Sequence, residues 1–557
     1  MTCSDRLSSA FTRRTALAAG AAALLAPAFA RGDEPGLVIS GGTIHTGAAA
    51  GRVEAIAVKG DRIVFVGALA DARRAAPGAR QIDLGGATAF PGFVDSHVHF
   101  TGVGIREMTL SLEGTSSIGE LQSRLRAWAT SNPTGVINGR GWIETHWPEG
   151  RFPTRDDLDA VVADRPVYLQ RADGHAGVVN SKTLEVLGVG PSTPNPAGGE
   201  ILKDAKGRPT GLFVDNAQKM LEPVITRPDR ATKREALGRA DRLYAARGWT
   251  AAHFMSVEQD DIEILRNMAR TQVLGLRLDT YMDPSAAAEV LATGPSVDPT
   301  GQVRLRGIKL YADGALGSRG AALLAPYSDK GGWTGLLVTP HDRMVELMRK
   351  AETVKAQVAV HAIGDRGNRL TLDAMAEVLG SARTDRRWRI EHAQIISPRD
   401  LPRFAAMGVT ASMQPSHAIG DLYFAPSRLG DARLKGAYAW RSLLRSGALV
   451  CAGTDAPVEK GDPLIEFYAA VYRHSLDGFA APDWRLDETV SRAQALRMLT
   501  LSPAKAVGRE HDLGTLEVGK RADLTAFSKD LMTVEPAEIL KAKAALTITA
   551  GRITHQA

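Results

Sequence analysis

Phe90-Pro91-Gly92-Phe93-Val94-Asp95-Ser96-His97-Val98-His99 decides how this chain is read. The stretch is a strand that ends on two histidines. Side chains alternate along a strand, so the imidazoles of His97 and His99 point to one side. Two neutral imidazoles on one face make half of a zinc site. Taken alone, they read equally well as incidental histidines on a solvated strand end.

Apolar strand patterns recur outward from this stretch. They are Thr250-Ala-Ala-His-Phe, Leu274-Gly-Leu-Arg-Leu-Asp, residues 303–311, Gln357-Val-Ala-Val-His, Trp388-Arg-Ile-Glu-His, Val409-Thr-Ala-Ser-Met and Ala448-Leu-Val-Cys-Ala. Helical patterns separate them, as at residues 233–247 and 344–355. Near-continuous apolar strands with helical crossovers predict a parallel sheet covered on both faces. Counting the first strand there are eight, which favours a closed (β/α)8 TIM barrel over an open doubly wound sheet. No Gly-x-Gly-x-x-Gly follows the first strand, so nothing supports a dinucleotide site.

Later strand ends carry more metal-type residues: His361, His392 and, after Ala452-Gly-Thr, Asp455. Barrel strand ends converge at one mouth, so four imidazoles and a carboxylate would meet there. Lys309 lies inside the strand Leu305-Arg-Gly-Ile-Lys-Leu-Tyr. A buried ammonium is costly, so this lysine must be paired, neutral or modified. A neutral amine can take up carbon dioxide as a carbamate, which has carboxylate geometry and can bridge two cations. The alternative is an ion pair with Asp313 or another carboxylate at the mouth.

The remaining chain divides around this barrel, placed at residues 90–510. Residues 31–89 and 511–557 are both rich in short strands and turns, and are expected to form one composite β-sandwich domain from the two ends. Residues 101–228, rich in Gly, Pro and Trp, make an insertion after the first barrel strand that covers the mouth. Residues 1–30 read as an export signal. Arg13-Arg14 precede an Ala-rich apolar stretch, and Ala28-Phe-Ala closes it like a signal-peptidase site. The arginine pair points to the Tat machinery and a periplasmic or secreted protein; a basic tail with an Ala-rich helix is the plain alternative. The stretch is too short for a comfortable membrane span, and none follows. With the signal removed, Cys451 would stand alone and no internal disulfide could form. The formal net charge of +6 is scattered, without the clustering a nucleic-acid surface needs.

The set His97, His99, Lys309, His361, His392 and Asp455 resembles that of the amidohydrolase superfamily. The surrounding wording is similar to its YtcJ-like amidohydrolase-3 branch, which includes N-substituted formamide deformylases. The likeness is carried by Pro91-Gly-Phe-Val-Asp-Ser-His-Val-His, Gly141-Trp, Asp173-Gly-His, Lys309-Leu-Tyr-Ala-Asp-Gly-Ala-Leu-Gly-Ser-Arg and His361-Ala-Ile-Gly-Asp. Glu391-His-Ala-Gln, Gly453-Thr-Asp-Ala-Pro and Gly519-Lys-Arg-Ala-Asp-Leu add to it.

The resemblance implies that His97, His99 and Asp455 bind one divalent metal. Carbamylated Lys309 would bridge to a second held by His361 and His392, with zinc suited to both positions. It also implies hydrolysis of a non-peptide carbon–nitrogen bond in a small-molecule amide, formamide or cyclic amide, with Asp455 as general acid and base. Superfamily members hold one or two metals and often form homo-oligomers. Asp365 and Glu391 are candidates to orient imidazoles. Trp142, His175, Asp313, Arg319 and His417 are candidates to line the substrate pocket, Arg319 by gripping a carboxylate; His253 could also face the mouth. The same site could instead cleave an ester, lactone or carbamate. The protein could also be an exported metal-binding protein without catalysis, against which Asp455 argues.

Overall fold

The computed structural model describes residues 36–557, apart from Asp173, His175, and residues 197–198, 226–227 and 482–483. The expected export signal and His175 therefore lie outside the described residues. No helix among the described residues is long and apolar enough to cross a membrane.

Eight parallel strands form the central sheet: β1 (Phe93–Val98), β2 (Trp249–Val257), β3 (Arg277–Met282), β4 (Val303–Tyr311), β5 (Gln357–Ala362), β6 (Arg389–His392), β7 (Thr410–Met413) and β8 (Val450–Ala452). Each pairs in parallel with the next, in chain order. The chain beyond β8 then returns to β1. Asp455 N donates to His97 O at 2.7 Å and His99 N donates to Ala456 O at 2.8 Å, so the sheet nearly closes on itself in the manner of a TIM barrel. A buried carboxylate fastens the seam. Asp95 accepts from His97 N, Thr454 N, Thr454 Oγ1 and Tyr244 OH.

The helices between strands follow from local chemistry. Arg230–Arg247 starts at Asp229, whose side chain accepts from Thr232 N, and stops at Gly248 with φ 99°. An N-cap oxygen takes an unpaired helix amide, and glycine tolerates the left-handed turn that ends the helix. One strand begins later than its apolar pattern suggests. The pattern runs from Leu274, but β3 starts at Arg277, because Gly275 N and Leu276 N donate to the Asp241 carboxylate instead of a neighbouring strand.

Two further sheets lie at the chain ends. Leu37–Ser40, Ala55–Lys59, Arg62–Gly67 and Arg80–Asp83 form one. The second mixes both ends, joining Ile44–His45, Arg52–Val53 and Thr88–Pro91 with Leu524–Phe527, Ala544–Thr549 and Arg552–Gln556. Ile39, Ile56 and Ile82 share one apolar cluster with Leu524 and Ile548. Phe90 and Pro91 pair with Thr525 and Leu524, so the barrel's first strand begins only at Phe93. Between β1 and β2 the chain builds a six-stranded sheet of its own, from Leu110–Ser111 to Pro209–Asp215.

Candidate active site

The strand ends bring four imidazoles around one carboxylate. His97 is fully buried, and its Nε2 lies 3.3 Å from Asp455 Oδ1. His99 Nε2 lies at the same 3.3 Å from that oxygen. On the other side, Asp455 Oδ2 is 4.0 Å from His392 Nδ1 and 3.7 Å from His417 Nε2. The His361 ring stands 4.5 Å from that of His392, centroid to centroid. Lys309 Nζ sits 3.4 Å from His97 Nε2. Two of these positions are held in a costly backbone form: His392 has φ 71° and Asp455 φ 59°. Left-handed backbone at non-glycine residues persists where the surroundings impose it, and it clusters at functional sites.

The imidazoles are held from behind. Glu391 Oε2 lies 2.7 Å from His97 Nδ1, and Gln414 Oε1 lies 2.8 Å from His392 Nδ1. Each acceptor fixes the proton on Nδ1 and leaves the lone pair on Nε2, which for His97 faces Asp455. Glu391 is itself held by Arg389, also fully buried, which reaches Ser96 O, Ser412 Oγ and His253 Nδ1 at 2.6, 2.6 and 2.8 Å. His253 thus lies beneath the site as a partner of Arg389, not at the mouth.

The electrostatics leave these groups in the forms a cation needs. Burial lowers the His97 imidazole to about 3, keeping it neutral. Burial likewise carries His392 well below its usual value. For Asp455 burial acts upward, but His97, His392 and His99 outweigh it and keep the carboxyl ionised. Metal ligands must be unprotonated, so neutral imidazoles around an ionised carboxylate fit a divalent cation. Two sets of donor atoms, His97/His99/Asp455 and His392/His417/Asp455, each lie within 4.8 Å of one another.

Lys309 is fully buried, and burial lowers its amine to about 8. The alternative ion pair with Asp313 does not form. Asp313 accepts instead from Ile363 N, Gly364 N and Ala322 N at 2.9, 2.7 and 2.8 Å. Its carboxylate ties together the loops after β4 and β5 and lies 3.6 Å from His361 Nε2, so it is an anchor rather than a pocket wall.

Several other readings are corrected. Trp142 is wholly enclosed in the core of the inserted sheet, its Nε1 donating to Leu169 O, so it has no face left for a substrate. The Arg319 guanidinium is engaged by both oxygens of Asp329, at 3.2 and 2.9 Å, and offers no open fork to a carboxylate. Asp365 accepts from Leu324 N at 2.8 Å and steadies the loop after β4 rather than an imidazole. Glu391 does orient a histidine, but it is His97 across the barrel rather than its neighbour His392. His417, by contrast, reaches the centre.

Arg389 and Gln414 were not anticipated. Arg389 carried a usable signal, a permanent cation in an apolar strand, the same oddity that singled out Lys309. Gln414 carried one as well, being the first polar residue after β7.

Comparison with known proteins shows what the chain as a whole is similar to. The chain is 31% identical to the Bacillus subtilis (strain 168) protein YtcJ over 534 residues, covering 93% of this chain and 98% of that one. It is 28% identical to the N-substituted formamide deformylase of Arthrobacter pascens over 522 residues, 90% and 95% of the respective chains. Among solved structures, an uncharacterized metal-dependent hydrolase from Pyrococcus horikoshii OT3 superposes with a TM-score of 0.75 at 27% identity, over 90% of this chain and 99% of that one. Residues 80–555 match the amidohydrolase family, from the strand Arg80–Asp83 to the last hairpin, and the chain belongs to that family.

Proposed function

We propose that this protein is a metal-dependent hydrolase that cleaves a non-peptide carbon–nitrogen bond in an amide, formamide or cyclic amide. The observation that carries this reading is the Asp455 carboxylate, ionised and set against imidazoles on both of its oxygens. His97, His99 and Asp455 would hold one divalent cation, for which zinc is well suited. His361, His392 and a carbamate on Lys309 would hold a second. Such a cation, when bound, lowers the pKa of water and polarises a carbonyl.

The chain's own groups do the rest. Glu391 and Gln414 hold the His97 and His392 rings by their Nδ1 protons and leave the Nε2 lone pairs free. Asp455 accepts the proton of the attacking water and passes it to the departing nitrogen. The carbamate is supported by Lys309 itself: a fully buried amine, lowered toward neutrality, with no carboxylate in ion-pairing reach among the described residues. The sheet inserted between β1 and β2 would shape the pocket, and the Arg13-Arg14 leader would send the protein to the periplasm by the Tat route. A tagged protein recovered only from the cytoplasm would refute that route.

The first test is metal content and gentle intact mass of the purified protein. Two equivalents of metal and the added mass of one carbon dioxide are expected. One equivalent and no added mass would return Lys309 to a structural role. Matched amide and ester substrates then compete directly, and faster ester turnover would overturn the amide reading. Asp455→Asn should retain metal and abolish turnover; full activity in that variant would remove its assigned role.

A further inference from the structure

His417 differs from every other imidazole at the centre. It stands on the helix Pro415–Asp421, directly after β7, with its ring 5.8 Å from that of His392 and nearly parallel to it. Its Nε2 is buried and has no hydrogen-bond partner. The closest charged group to that nitrogen is Asp455 Oδ2, at 3.7 Å. His97 and His392 have acceptors behind Nδ1, which leave lone pairs on Nε2. His417 Nδ1 has no such acceptor among the described residues. Nothing therefore locks the proton on Nδ1, and a lone pair on Nε2 would face a carboxylate oxygen. The favoured tautomer carries its proton on Nε2.

In that tautomer Nε2 is a hydrogen-bond donor and cannot bind a metal. At 3.7 Å from Asp455 Oδ2 its N–H is too far for a direct hydrogen bond and is left without an acceptor. We propose that His417 is a catalytic residue that donates its Nε2–H to the carbonyl oxygen of the substrate and stabilises the negative charge that grows there. The proposal rests on the hydrolase reading above and adds a specific oxyanion donor to it. The hydrogen bond strengthens as the carbonyl becomes an alkoxide, so its contribution falls on turnover more than on binding.

Two measurements test it. Long-range proton–nitrogen correlation spectra of the 15N-histidine-labelled, metal-loaded protein report the His417 tautomer, with His417→Gln identifying the signal. An Nε2–H tautomer is expected. A metal-shifted Nε2, or a proton on Nδ1, overturns the proposal, and this readout needs no substrate. In kinetics on whichever amide or formamide the wild type hydrolyses, His417→Ala should keep its metal and its KM while kcat falls ~10²–10³-fold. His417→Gln, whose amide N–H comes close to the position of Nε2, should regain much of that loss. Metal loss in His417→Ala would make His417 a ligand, and unchanged kcat would make it structural; either overturns the proposal. If the wild type hydrolyses nothing, the hydrolase reading fails, and the tautomer still decides what His417 is.

Discussion

Lys309 and Arg389 are two cations sealed in neighbouring parts of one barrel, and they are handled in opposite ways. Arg389 is compensated by Glu391 at hydrogen-bond distance, whereas Lys309 has only longer-range help from Glu391 and Asp455. Breaking a buried pair strands the remaining charge, so Arg389→Met should destabilise the fold by about 3–5 kcal/mol, read from urea unfolding. Glu391→Gln keeps an oxygen near His97 Nδ1 but loses the charge that holds the ring. Metal affinity should fall ~10–100-fold, measured by competition with a chelator, and because Arg389 loses its counter-charge the fold should be destabilised as well, read from urea unfolding. The type of residue at each strand end was legible in the sequence, because a polar group at the end of an apolar strand has few other uses. The pairing was not. Adjacent strand residues face opposite ways, so Glu391 passes over its neighbour His392 and meets His97, 294 positions away. Trp142 and Arg319 misled for a related reason: their chemistry suits a pocket, but Leu169 O and Asp329 reach them first.

Whole elements were legible where apolar runs and helical periods alternate, and all eight barrel strands overlap the patterned stretches, though β2 and β3 run on past theirs to Val257 and Met282. Boundaries were lost where a side chain replaces a strand partner, as Asp241 does before β3. That substitution has a pH signature. Burial raises the Asp241 carboxyl to about 6, above its ordinary value of 3.8. The folded protein therefore holds a proton that the unfolded chain releases across this window. The stability this group contributes is greatest below pH ~4, declines as pH rises to about 6, and is level above it. Asp241→Asn should remove that decline, worth at most about 3 kcal/mol, from the urea-derived stability profile; an unchanged profile would show that the carboxyl is not protonated in the fold. Helix contacts impose a second limit. The helix Phe100–Arg106, which follows His99, packs so closely on Arg230–Arg247 that a Cβ at Gly104 would meet Ala236 O at 1.9 Å. Gly104→Ala should therefore cost about 1–3 kcal/mol. It should also lower metal occupancy, measured by elemental analysis, because the displaced helix carries the His99 end of β1 with it.

At the scale of the whole molecule, the two chain ends act as a clamp on the barrel's first strand. Leu524–Phe527 pairs with Thr88–Pro91, and one glycine later the chain enters β1 with His97 at its far end. The shared strand-rich texture of the two ends was visible in the sequence. The device that fixes them was not, because it joins residues 246 positions apart: Arg277 at the start of β3 is gripped by both oxygens of Asp523. Both side chains are nearly inaccessible, at 1% and 7%, and Asp523 also accepts from Ala550 N at 2.7 Å. Asp523→Ala strands the guanidinium and orphans that amide, so unfolding should become easier by about 3–5 kcal/mol. If the cost is an uncompensated charge, removing the charge should repair it. Arg277→Met combined with Asp523→Asn keeps an acceptor for Ala550 and buries an apolar chain, and should recover most of the lost stability. The double variant falling as far as the sum of the two single ones would mean that the pair itself, rather than charge balance, holds the ends together. Metal retention on warming follows the same order, wild type and double variant above Asp523→Ala, because β1 is anchored through the sheet that Asp523 fastens.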